Sequence, residues 1–183
     1  MDILYFAGVE FNDIENRLVI DLGAGTGRLS IASAFLKARY ILSIDIDLDA
    51  INILKRNIDR LDLDHLIFPI CADIKNLNIS DFLFSQNMHI TTIMNPPFGV
   101  QRKAADRKFL QTAFSFSNVV YSIHLANEGV QKFISRYSNK FNWKVDYIFP
   151  YQLILEKSYD FHKQKKKLID VDIYRFERRT IPA

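Results

Sequence analysis

Short apolar runs alternate along this chain with stretches in which apolar residues recur every three or four positions. Leu18–Leu22, Tyr40–Ile44, Leu66–Cys71, Ile90–Met94, Val119–Ile123 and Lys144–Phe149 read as strands. Between them, Arg28–Lys37 carries Leu29, Ala32 and Leu36 on one helical face, and the next helix carries Leu48, Ile51, Leu54, Ile58 and Leu61. Later helices present Phe109, Leu110, Ala113 and Phe114, then Val130, Phe133, Ile134 and Tyr137. Residues 73–88 read as irregular. Leu168–Phe176 alternates, with Ile169, Val171 and Ile173 on one side and Asp170 and Asp172 on the other, which predicts a seventh, half-exposed, antiparallel strand. Strand–helix alternation dictates a mainly parallel α/β sheet with helices on both faces. With 183 residues and no linker or low-complexity tract, a single domain over 1–183 is expected.

Right-handed crossovers put every loop that follows a parallel strand on one rim, where α/β folds bind ligands. After the first strand comes Asp21-Leu22-Gly23-Ala24-Gly25-Thr26-Gly27, a turn whose glycines let the backbone approach a ligand closely. After the second comes Asp45, 22 residues beyond Gly23, near the spacing at which a carboxylate accepts ribose hydroxyls; Ile46 follows it, and Asp47 is expected to cap the next helix. After the third comes Asp73, with Ile74, where a carboxylate can accept an adenine amine or simply close a turn. These features suit several nucleotide cofactors.

The fourth strand narrows the choice, because it ends in Asn95-Pro96-Pro97-Phe98. The exocyclic amine of a base is a poor nucleophile, since its lone pair is delocalised into the ring. The Asn95 side-chain oxygen and the Pro96 carbonyl can accept its two N–H bonds and free that lone pair for a methyl donor. The two prolines hold these acceptors stiffly in place, and Phe98 offers a face for base stacking. Such a displacement needs positioning rather than a metal, and no spacing of His, Cys, Asp and Glu suggests a metal site.

These stretches resemble the class I methyltransferases that modify amino groups. The resemblance is closer to the methyltransferase-like protein 5 family, small-subunit rRNA adenine N6-methyltransferases. It rests on DIENRLVIDLGAGTGRLSI, SIDIDLDAI, MNPPFG, DRKFL, VVYSIH and SYDFHKQKKKLIDVDIYRF. It implies a Rossmann-like fold, S-adenosyl-L-methionine as cofactor, and an adenine in structured RNA as substrate. Cofactor positions then fall on Asp21, Gly23, Ala24, Gly25, Thr26, Gly27, Asp45, Ile46, Asp73, Ile74 and Asn95, and catalytic ones on Asn95, Pro96, Pro97 and Phe98. The family also uses a small zinc-binding activator protein that adds its sheet to the enzyme's. The family's Glu-Gln-Tyr-x-Thr stretch, which closes over the cofactor, has no counterpart in the 20 residues before Asp21, which implies either a start further upstream or a shortened form with a more open cofactor pocket. The same Asn-Pro-Pro grip would serve a glutamine-amide N-methyltransferase, and a non-catalytic RNA-binding module of this fold is a third reading.

The charge pattern favours a polyanionic partner. Residues 1–100 carry net −5 and residues 101–183 net +8. Arg102, Lys103, Arg107 and Lys108 follow the Asn-Pro-Pro-Phe stretch. Phe161, His162, Lys163, Lys165, Lys166 and Lys167 lie in an expected 17-residue connection, Tyr151–Lys167, between strands six and seven. Cations interleaved with rings suit an RNA groove. His124, at the end of strand five, reads equally well as a substrate contact or as a histidine satisfied internally. A single cysteine, no membrane-length apolar run and no signal-like N-terminus predict a cytoplasmic protein.

Overall fold

The structure, a computed structural model, describes residues 2–77, 88–97, 105–156 and 166–179. An N-terminal helical segment, α1 (Asp2–Tyr5) with a π-helical turn Phe6–Glu10, precedes the first strand. Then follow β1 (Leu18–Leu22), α2 (Arg28–Phe35), β2 (Tyr40–Asp45), α3 (Leu48–Arg60), β3 (Ile67–Cys71), a 3-10 turn (Ile74–Asn76) and β4 (Ile90–Met94). The remainder is α4 (Ala105–Phe116), β5 (Val119–Leu125), α5 (Glu128–Lys140), β6 (Trp143–Glu156) and β7 (Lys166–Arg178). The seven strands form one sheet in the order β3-β2-β1-β4-β5-β7-β6.

β1 pairs in parallel with β2 and β4, β2 with β3, and β4 with β5. Strand order therefore reverses between β1 and β4, and the loops after them flank the switch point. The apolar stripes meet the sheet from both sides. Ile51, Leu54 and Ile58 of α3 pack with Val19 and Ile41, beside Ile3, Leu4 and Ala7 of the N-terminal segment. Leu110, Ala113 and Phe114 of α4 and Ile134 of α5 pack with Leu22, Met94 and Phe176 on the other face. Leu48 and Leu61, expected on the α3 stripe, stand at the helix ends and are exposed.

Two expectations for the last strands are corrected. β7 is not half-exposed: it lies between β5 and β6, antiparallel to both, and Val171–Phe176 are buried on both faces. Nor is Tyr151–Lys167 a 17-residue connection. The β6–β7 ladder continues to Glu156↔Lys166, because Tyr151, Leu153 and Ile154 are good strand formers that find Val171, Ile169 and Leu168 opposite. Lys166 and Lys167 thus belong to a strand. β5 also runs two residues beyond its expected end, which puts His124 inside the sheet.

The polar residues of β7 stay buried because they are paired. Arg175 donates from Nε to Asp13 Oδ2 (3.0 Å) and to the Tyr121 hydroxyl (3.1 Å), and from Nη1 to Asp146 and Glu177. Tyr121 in turn donates to Asp13 (2.9 Å), and burial pushes its hydroxyl well above the ordinary tyrosine range. The cluster ties the segment before β1 to β5 and β7. Arg175→Ala takes the nearest cation from the buried Asp13 carboxylate, leaving it the Tyr121 hydroxyl and Arg17 at 3.7 Å, and is expected to cost about 3 kcal/mol, read by urea denaturation at pH 7; Arg175→Lys recovers only part, since one ammonium cannot span the fork.

Candidate active site

β1 ends on a turn that only glycine accommodates well. Gly23, Gly25 and Gly27 all have positive φ, at +76°, +54° and +89°. The turn is fastened to the neighbouring strand by Gly23 and Ala24 amides donating to the Ile44 carbonyl (2.8 and 3.1 Å). A Cβ at Gly25 would meet nothing within 4 Å, so the turn is open there. A Cβ at Gly27 would lie 2.0 Å from Leu54 Cδ1, in the α3 core. Gly27→Ala therefore combines left-handed strain with overpacking and is expected to destabilise the fold by about 2–4 kcal/mol in chemical denaturation.

Asp21, on β1 one residue before its end, is fully buried. Its Oδ2 accepts the Ser30 hydroxyl (2.6 Å), which accepts that of Ser43 (2.7 Å). Its Oδ1 is buried with no hydrogen-bond partner. Burial pushes the carboxyl up to about 7; the Ser30 bonds pull it down, and the nearby Asp45 charge adds to the rise. A buried carboxylate oxygen left open in this way calls for a cationic or N–H donor.

Asp45 closes β2 with both oxygens engaged, Oδ2 by the Gly25 amide (2.7 Å) and Oδ1 by the Asp47 amide (2.9 Å). It thereby fixes the glycine turn and retains lone pairs for further donors. Asp47 caps α3, as expected, accepting the Asp49 and Ala50 amides (2.9 and 3.3 Å). Ile46 stands exposed beside it. Asp73 caps the 3-10 turn by accepting the Lys75 amide (2.9 Å), and Ile74 is half-buried. β4 ends beside β1, with Leu22 opposite Met94. The next three residues alternate: Asn95 is exposed, Pro96 buried and Pro97 exposed.

Strand order thus brings Asp73, Asp45, the glycine turn and Asn95 to the ends of four adjacent parallel strands. Phe98, Arg102, Lys103, Phe161, His162, Lys163 and Lys165 lie outside the described residues. Lys166 and Lys167 are placed opposite Glu156 and Leu155 in the β6–β7 ladder. Arg107 and Lys108 are exposed on the first turn of α4. His124 is buried, its Nε2 2.7 Å from Ser122 Oγ and its ring edge-on to Tyr174, which favours the internally satisfied reading.

Two residues at this rim were not foreseen. Phe109 of α4 packs over Gly23, its Cε1 3.1 Å from where a Cβ would stand. Thr112, one turn on, donates to the Ile74 carbonyl (3.2 Å). One helix therefore braces both the glycine turn and the loop after β3. On the sequence both looked like ordinary positions of an amphipathic helix.

A seven-stranded sheet of this order, with its ligand rim at the β1/β4 switch point, is the fold of a class I methyltransferase. The P. horikoshii protein PH1948 shares it with TM-score 0.84 and 36% identity, over 97% of this chain and 81% of that one. Methanocaldococcus jannaschii TYW2, solved in complex with AdoMet, shares the fold at TM-score 0.65 and 20% identity, over 97% of this chain and 75% of that one. The chain belongs to the TRM5/TYW2 methyltransferase domain family, whose pattern matches residues 8–143, and to the METTL5 family. The rRNA N(6)-adenosine-methyltransferase METTL5 of Danio rerio is 37% identical over 176 residues, which is 95% of this chain and 82% of that protein.

Proposed function

We propose that this chain is an S-adenosyl-L-methionine-dependent methyltransferase that places a methyl group on N6 of an adenine in small-subunit ribosomal RNA. The observation that carries the reading is the Asn95–Pro96–Pro97 corner at the end of β4, adjoining the open glycine turn after β1. The METTL5 relatives carry the same reading at the level of the whole chain.

The rim fits the cofactor. Asp21 Oδ1 offers a buried acceptor to its amino group, directly or through one water, Gly25 leaves room for the backbone to lie close, and Asp45 can accept ribose hydroxyls. Asp73 can accept the adenine amine. When bound, the cofactor supplies an electrophilic sulfonium methyl. Every other requirement falls on the chain. Asn95 Oδ1 and the Pro96 carbonyl accept the two N–H bonds of the target amine and concentrate electron density on its nitrogen. Pro96, buried and conformationally fixed, holds both acceptors in register. Phe98 stacks the base, which has left its helix to reach the corner. Arg107 and Lys108, with Arg102 and Lys103 after Phe98 and with Lys163, Lys165, Lys166 and Lys167, hold phosphates.

The small zinc-binding activator belongs to the same proposal. The sheet ends in β3, where Phe68 is 41% exposed beside Tyr40, and in β6, where Tyr147 is 50% exposed, so either edge offers backbone groups with an apolar anchor.

The test is incubation with methyl-labelled cofactor and unmodified small-subunit rRNA, with and without the activator, followed by nucleoside analysis. Label in N6-methyladenosine is the expected result. Label that survives nuclease and stays with protein would move the substrate to a glutamine amide, and no transfer to either would overturn the enzymatic reading.

A further inference from the structure

We infer that the groove between α4 and α5 is a track for the RNA backbone leading away from the Asn95 corner; the inference rests on the RNA reading above and extends the contact surface to residues outside the rim. α4 reaches the rim itself, with Phe109 packed over Gly23 and Thr112 bonded to the Ile74 carbonyl, so the flank of α4 that carries Arg107 starts beside the glycine turn. The Arg107 guanidinium lies 5.0 Å over the Phe133 ring, and the Tyr137 hydroxyl donates to the Arg107 carbonyl (3.2 Å). These contacts fix which flank of α5 faces α4.

Successive residues of a helix turn by about 100°, so Phe133, Arg136, Tyr137 and Lys140 fall within one arc of α5. Phe133 and Tyr137, stacked at 5.4 Å, form the groove wall, and Arg136 and Lys140 stand exposed on its solvent side. They are one turn apart, about 6 Å along the axis. The acid of α5, Glu128, sits on the far flank and is bridged to Lys132 (2.9 Å). α4 and α5 together carry five Lys or Arg and two Asp or Glu. The opposite layer, α1 to α3 with the π turn, carries four of each. One cation held over a ring face, at Arg107, and two exposed ones beyond it, with no described carboxylate on the same arc of α5, match the chemistry of a phosphodiester chain. An RNA whose adenine is flipped into the corner must lead its flanking strand away along some surface, and this one starts on the helix that braces the glycine turn.

The test is binding of an unmodified small-subunit rRNA transcript across a salt series, without turnover. Arg136→Glu with Lys140→Glu is expected to weaken binding at least about tenfold and to flatten the slope of log K against log salt by about 1.5, two phosphate contacts' worth. Affinity for S-adenosyl-L-methionine stays the same. Arg136→Gln with Lys140→Gln removes the contacts without adding repulsion and flattens the slope alike. Lys55→Glu with Arg56→Glu, exposed on α3 of the opposite layer, leaves the slope unchanged. Wild-type affinity and slope in both groove variants would overturn the inference. Wild-type protein that binds RNA through the groove but yields no methyladenosine would overturn the proposed reaction and leave the groove standing.

Discussion

Replacing Asn95 with alanine is expected to lower methyl transfer at least about a thousandfold while the cofactor still binds. The loss is expected to be large because in the proposed reaction Asn95 accepts from the reacting nitrogen. Without its amide oxygen, one N–H bond of the target amine loses its acceptor in a site from which the base itself excludes water. The lone pair then stays in the ring, and the Pro96 carbonyl alone cannot reorient it. The fold is expected to tolerate the change, since Asn95 is exposed and follows the last pair of β4. Asn95→Asp keeps an oxygen acceptor and is expected to retain more activity than alanine. Single-turnover rates with saturating cofactor, beside calorimetric binding of the cofactor, separate the two steps. Full activity in Asn95→Ala would remove the residue from the reaction.

Asp21 sets the second large effect, and it has opposite signs in two measurements. Its carboxyl is pushed up to about 7 by burial, from an ordinary value of 3.8. Below pH 4 it is protonated in folded and unfolded chains alike, and it costs nothing. As pH rises from about 4 to about 7, only the unfolded chain ionises freely, so the folded state loses stability, by about 4 kcal/mol in total. Asp21→Asn removes that loss: its melting temperature is expected to exceed wild type at pH 8, with the difference fading toward pH 4. The same variant cannot offer a carboxylate to a cationic amine, and its cofactor affinity is expected to fall about a hundredfold or more, the scale of a buried charge-assisted bond. In wild type, affinity is expected to decline as pH drops below 7, where Asp21 takes up a proton. An Asp21→Asn protein with unchanged cofactor affinity would separate this carboxylate from the site.

The strands and helices were legible because each apolar run and each stripe at 3/4 spacing lies within a few residues of its own element. The rim was legible for the same reason: a parallel sheet puts every post-strand loop on one side, and Asp21, Asp45, Asp73 and Asn95 each lie within two residues of a strand's end. Asp47 could be separated from Asp45 because a cap needs only the next three residues. What stayed hidden depends on distant partners. Asp172 looks like the wet side of a strand and Arg175 falls on its apolar side, yet Asp172 accepts from Gln131 (2.9 Å) and Arg175 meets Asp13 from 162 positions away. Phe109 and Thr112 brace the cofactor loops from positions that pattern alone assigns to packing. Ser30 and Ser43 were invisible as a relay into Asp21, because their side chains meet only once β1, β2 and α2 are assembled.

The place of β7 bears on how the molecule is made. The last described strand is an interior one, gripped by β5 and β6. A polypeptide leaving the ribosome can stack β1 to β5 early, but β6 has no neighbour until residues 166–178 have emerged. Until then Tyr121, Ile123 and the apolar side of β6 wait uncovered. Loss of residues 166–178 would therefore remove the middle of a seam rather than its hem. Completion of the β5–β7–β6 seam is expected to be a late event, gated by synthesis of β7.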